Sequence, residues 1–206
     1  MTVRPDSAFA AGMLSRAMNK PTPELLECAK RVLQYLYTTR DLGLHYSRNS
    51  DFDIYGMSDS DWQVRCSTSA YVFFLAGACI SFLSKKQPTI ATSSTYAEMY
   101  AASLAALEAF FLSMMEEDLL GPVEKPYDVF VDNQGAVALA NDFVSNSRVR
   151  HYERQVLKVR ELVEDAIVAV KPVGTADNAS DIFSKALGRR LFEKHRRTLL
   201  NIPTGR

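Results

Sequence analysis

Apolar positions along this chain switch between helical spacing and strict alternation, and each switch marks an element. Within residues 20–43, Leu25, Leu26, Ala29, Val32, Leu33 and Leu36 recur every three or four positions, the stripe of an amphipathic helix. Thr22 stands where a cap belongs, Pro23 suits the first turn, and Gly43 lies past the end. Residues 44–61 predict two short extended stretches. Residues 71–75 and 79–83 read as the strands of a hairpin with Gly77 in the turn. A long helix follows, roughly 93 to 119, closed by Gly121 and Pro122. Residues 127–132 read as a short strand, 133–142 as a short helix and 150–166 as an amphipathic helix. Residues 167–173 are a second short strand, and two helices close the chain over 178–187 and 189–201. This order predicts an α/β domain with a mixed sheet: an antiparallel meander, then strands joined by helical crossovers.

The long helix carries an anomaly. Its stripe Glu98, Ala101, Ala102, Ala105, Ala109, Leu112 is small or apolar except for its head. An ionised Glu on a buried face needs a partner. Three further acids sit at the ends of predicted elements: Asp59, Asp132 and Asp181. In open α/β sheets such ends meet in one crevice. Clustered carboxylates repel one another unless a cation lies among them. Oxygen ligands without His or Cys suit Mg²⁺ or Mn²⁺. Two such ions about 3.5–4 Å apart make a phosphoryl-transfer site. Each acid also has a plainer reading. Asp59 and Asp61 suit a turn, Asp132 suits a helix cap, and Asp181 suits a helix start or a pair with Lys185.

Composition narrows the classes. At 206 residues the chain is one large domain, or one domain plus an appendage. Lys and Arg number 24 against 24 Asp and Glu, so any nucleic-acid contact must be a local patch. Cys28, Cys66 and Cys79 are scattered, which argues against a disulfide framework or a zinc site and fits a reducing compartment. No apolar run reaches membrane-spanning length, and the N-terminus lacks a signal-peptide pattern. The opening residues read like a chain cut from something longer.

Four motifs carry a resemblance: "GMSDSDW", "STSAYVFFLAGACISFLSKKQPTIATSSTYAEMYAA", "VDNQGAVALA" and "ASDIFSKAL". In this order they resemble the ribonuclease H domain of copia-type retrotransposon Pol polyproteins. Residues 4–46 resemble the segment that links the reverse transcriptase to it. The resemblance covers roughly residues 4 to 200. It implies a ribonuclease H-like fold, a five-stranded mixed sheet flanked by helices. It implies a reverse-transcriptase tail or connection segment over 1–50 and the ribonuclease domain over 51–206. It also implies two Mg²⁺ ions, with Mn²⁺ an alternative, held by Asp59, Glu98, Asp132 and Asp181. The implied activity is cleavage of the RNA strand of RNA–DNA hybrids, leaving a 3′-hydroxyl and a 5′-phosphate. The implied setting is the cytoplasm, in virus-like particles, with the reverse transcriptase of the same polyprotein as partner and no membrane. The chain departs from the family pattern at Tyr96, Met99, Ala70 and Phe82, and it lacks the second His of a motif around His151.

A hybrid presents two phosphate backbones, and the 2′-hydroxyls of one strand mark it as RNA. Candidate contacts are Lys85, Lys86 and Gln87 after the hairpin, Ser93 and Ser94 before the long helix, and Asn133 and Gln134 beside Asp132. Arg148, Arg150, His151 and Arg154 form a candidate basic edge. Trp62 and the hairpin aromatics are expected in the core. His45 and His195 are assigned no role. The competing class is a ribonuclease H-like module without activity that binds nucleic acid or braces the polymerase.

Overall fold

The computed structural model describes residues 3–63, 67–88, 90–122, 125–142 and 153–202. A short turn, Pro5–Ser7, leads into α1 (Ala8–Arg16). Thr22 then accepts a hydrogen bond from the Leu25 amide and opens α2 (Pro23–Thr38), as its cap signal predicts. The meander follows as β1 (Tyr55–Asp61), β2 (Thr68–Leu75) and β3 (Ala78–Lys86). Ala76 and Gly77 join β2 to β3 with φ of 52° and 86°. That pair of left-handed residues matches the twist of the two strands. A side chain at position 77 would also lie within 2.8 Å of Ser50 Oγ.

Ser93 caps α3 (Ser94–Leu120), and β4 (Tyr127–Val131) and α4 (Gln134–Asn141) follow. The chain continues as α5 (Glu153–Glu164) and β5 (Val168–Pro172). It closes with α6 (Asp181–Ser184) and α7 (Arg189–Leu200). The sheet order is β3-β2-β1-β4-β5. The first three strands are antiparallel, and β1, β4 and β5 run parallel. This is the five-stranded mixed sheet flanked by helices that the motifs imply.

Alternation along β2 sends its side chains to two cores. Tyr71 and Phe73 join Val129, Val131, Val168 and Val170 under Met99 and the Ala face of α3. Small residues there let the helix lie close to the sheet. Ala70, Val72 and Phe74 pack on the other face with Ile182, Phe183 and Leu199. The N-terminal segment is fastened to the closing helix by polar contacts. Arg4 pairs with buried Asp6, the Tyr35 hydroxyl donates to Asp6, and Arg196 reaches Tyr35.

Three expectations need correction, and one helix face is left uncovered. Of residues 44–61, only β1, Tyr55–Asp61, forms a strand, and residues 44–54 form none. The α2 stripe is not buried: Leu26 and Leu33 are 59% and 66% exposed, and they line an open apolar groove of about 470 Å³ shared with α1. Trp62 is 51% exposed and donates to the Ala91 carbonyl, whereas Phe73 and Phe74 are indeed core. Finally, α3 at 27 residues is long and apolar enough to cross a membrane by length and composition alone. In this fold its Ala face lies on the sheet.

Candidate metal centre and nucleic-acid interface

The parallel pairing of β1 and β4 brings two of the acids together. Ser58 lies opposite Val131 in the last pair of the β1–β4 ladder, so Asp59 and Asp132 follow side by side just past it. Asp59 lies inside β1, which removes its turn reading. The cap of α4 is Asn133, whose Oδ1 accepts from the Ala136 amide, so Asp132 is free of that duty. Glu98 arrives from the start of α3, which crosses the same strands. Carboxylate oxygens of Asp59, Glu98 and Asp132 lie within 4.8 Å of one another.

Asp181, first residue of α6, comes from the opposite face of the sheet. Asn178 places it: the buried side-chain amide donates to the Ser58 carbonyl at 2.9 Å, and its Oδ1 accepts from Ser180 Oγ at 2.5 Å. Ser184 donates its hydroxyl to Asp59 and ties α6 to β1 a second time. Lys185 completes the group, 2.8 Å from Asp181 Oδ1 and 3.5 Å from Asp59 Oδ2. The contact to Asp181 is an ion pair without hydrogen-bond alignment. The plainer readings of Asp181 are both seen: it starts a helix and pairs with Lys185 four residues on.

Burial and crowding shift these groups. Asp59, Glu98 and Asp181 are almost wholly buried. Burial, then the charges of Asp59 and Asp132, push the Glu98 carboxyl up to about 10. Its Oε2 has no hydrogen-bond partner among the described residues. Asp132 is raised by burial and by Asp59, and Asp181 is raised by the same two causes. Burial opposes the Lys185 ammonium, but Asp59 and Asp181 outweigh it and hold its pKa above the ordinary value. An all-oxygen set with an unpartnered buried carboxylate oxygen fits a hard divalent cation, which would relieve the repulsion.

The raised Glu98 pKa has a measurable consequence. Between its ordinary value of 4.5 and about 10, the folded metal-free chain keeps a proton that the unfolded chain has lost. Its contribution to stability is full below that window and is lost as pH rises through it. Wild-type chain in chelator is expected to unfold at lower urea at about pH 8.5 than at about pH 5.5. Glu98→Gln is expected to flatten that difference. An equal pH dependence in both chains would contradict the placement of Glu98.

The candidate nucleic-acid residues divide. Lys85 and Lys86 are exposed at the end of β3, Ser94 at the start of α3, Gln134 at the start of α4 and Arg154 on α5. Ser93 and Asn133 are occupied as helix caps. Gln87 departs from expectation. It is buried, and its amide donates to Ser69 Oγ at 2.8 Å and to the Ala97 carbonyl at 3.0 Å. It ties β2 to α3 rather than facing a ligand. Arg148, Arg150 and His151 lie outside the described residues. Sequence reasoning missed Asn178 and Ser184 as positioning groups, and it took Lys185 only as a helix partner. The "ASDIF" motif beside them was the available signal.

No family model matches the chain. It is 33% identical over 194 residues to the Pol polyprotein of transposon TNT 1-94 from Nicotiana tabacum, covering 92% of this chain and 14% of that protein. It is 31% identical over 194 residues to the Pol polyprotein of transposon RE1 from Arabidopsis thaliana, covering 92% and 13%. The chain thus spans about a seventh of those relatives' length. A secreted RxLR effector protein from Plasmopara viticola is 43% identical over 118 residues, 55% of this chain and 83% of that protein. Among solved structures, an RNase H1 isolated from compost superposes with TM-score 0.51 at 15% identity, over 70% of this chain and 98% of that one. The N-terminal RNase H domain of a Mycobacterium tuberculosis protein superposes with TM-score 0.50 at 10% identity, over 72% and 99%. Fold, order of motifs and relatives agree: the chain belongs to the copia-type retrotransposon Pol polyproteins and carries their ribonuclease H-like region.

Proposed function

We propose that this chain cuts the RNA strand of RNA–DNA hybrids during reverse transcription of a copia-type element. The observation that carries this reading is the convergence of Asp59, Glu98 and Asp132 on one point at the ends of β1 and β4. Asp59, Glu98 and Asp132 would hold one divalent ion, and Asp59 with Asp181 a second. Bound Mg²⁺ or Mn²⁺ supplies an activated water and neutralises charge on the leaving oxygen. The chain's own part is to hold four carboxylates rigidly. Asn178 and Ser184 fix Asp181 and Asp59 through buried hydrogen bonds, and no side-chain nucleophile is needed.

Exposed Lys85, Lys86, Ser94, Gln134 and Arg154 would meet backbone phosphates, which position a duplex without reading its sequence. Selection of RNA then rests on 2′-hydroxyl contacts. A compost RNase H1 of this fold has been solved with an RNA/DNA hybrid. With no net charge, the chain would bind hybrid weakly by itself. The polymerase of the same polyprotein would supplement it. Residues 1–50 would be the connection to that polymerase, in virus-like particles in the cytoplasm.

A substrate panel tests this reading. With Mg²⁺, purified chain is expected to cut the RNA strand of a labelled hybrid, leaving 3′-hydroxyl and 5′-phosphate ends, and to leave duplex DNA whole. Equal cutting of duplex DNA would contradict it. Hybrid bound but uncut would favour a non-catalytic brace.

A further inference from the structure

The four acids do not share one centre equally. Asp59, Glu98 and Asp132 offer oxygens around one point, and Asp181 is not among them. Asp181 and Asp59 are instead bridged by a cation that the chain supplies. The Lys185 ammonium sits 2.8 Å from Asp181 and 3.5 Å from Asp59. Its place is set from two sides. Lys185 follows the last residue of α6, with its amide 3.2 Å from the Asp181 carbonyl, and the neighbouring Ser184 is bound to Asp59.

We infer that Lys185 is an internal cation occupying the second metal position, so that the two ions bind in order and with unequal affinity. This rests on the metal-site reading proposed above. The Lys185 charge also reaches Glu98 and Asp132, but among the described residues its ion pairs are with Asp181 and Asp59, so the position framed by Asp59, Glu98 and Asp132 fills first. The position between Asp59 and Asp181 fills only when Lys185 leaves. A Lys head is a compact, strongly hydrated charge on a flexible stem, suited to such an exchange. Its side chain is 33% exposed, while those of Asp59 and Asp181 are each 2% exposed. The lysine therefore has a route to water that the carboxylates lack. Lys185 is thus a positioning residue for the second ion, acting through Asp59 and Asp181.

The test is calorimetric titration of the metal-free chain with Mn²⁺ alone, without nucleic acid. Wild type is expected to bind one ion well and a second weakly. Lys185→Met is expected to tighten the weak step by at least about tenfold, since the ion no longer has to displace an ammonium paired with Asp59 and Asp181. The strong step should change far less. Lys185→Arg should keep the wild-type pattern. Lys185→Gln, which retains a polar head without charge, should behave like Lys185→Met and serves if the methionine variant does not fold. Two equal steps in wild type, or unchanged steps in both neutral variants, would overturn the inference and leave the metal site standing. Failure of wild type to bind Mn²⁺, or binding by Asp132→Asn equal to wild type, would overturn the metal site itself and the inference with it.

Discussion

Replacing Glu98 by Gln is expected to abolish cutting of an RNA–DNA hybrid while leaving the chain folded. The exchange keeps size and shape, so the Ala face of α3 still lies on the sheet. It removes the carboxylate whose unpartnered oxygen and upward-shifted pKa mark it as waiting for a cation. Even outer partners of metal ligands cost about ten- to a hundredfold when removed, so a ligand itself should cost roughly a hundredfold or more. The metal-free variant should be at least as stable as wild type at neutral pH, because an uncharged amide replaces a carboxyl that resists ionisation. Loss of stability together with activity would instead make Glu98 a structural residue. A steady-state cleavage assay beside a urea melt separates the two outcomes.

The second large effect lies in the core behind the site. Phe183 is wholly buried and stacks on Phe82, with ring centroids 5.3 Å apart. Its carbonyl accepts the Ser84 hydroxyl at 2.6 Å, which pins α6 to β3. Phe183→Ala is expected to cost about 3–5 kcal/mol through lost burial and a residual cavity. That is a large share of the roughly 5–15 kcal/mol that holds a domain folded. The thermal midpoint should fall by about 10 °C, at roughly 2–4 °C per kcal/mol for a chain of this size. Because Asp181 lies two residues before Phe183, cleavage should weaken even where the variant stays folded. A midpoint within about 2 °C of wild type would mean that this second core is softer than its packing indicates.

Much of the fold was legible because its signals are local. The cap at Thr22, the hairpin about Gly77 and the Ala stripe of α3 each declare themselves within a few residues. The cluster of three acids was legible for a related reason. A carboxylate on an apolar face, or at a strand end, violates the surrounding pattern, and Asp59, Glu98 and Asp132 all do so. Gln87 was misread because the exposed Lys85 and Lys86 beside it suggest a solvated loop, while its burial depends on Ser69 and Ala97 brought in by folding. Asn178 was invisible for the same reason: its partner, the Ser58 carbonyl, is 120 residues away. The α2 stripe carried a true helical period, but periodicity does not say what will cover a face.

The central claim is that the acids at the ends of β1 and β4 form a metal centre that cuts RNA in hybrids. The most direct measurement incubates a labelled hybrid and Mg²⁺ with purified wild-type chain and, in parallel, with Asp132→Asn. The account predicts RNA-strand fragments from wild type and none from the variant, with both chains folded. Equal cutting by both would contradict it, because the reaction would then proceed without the carboxylate that links β4 to the centre.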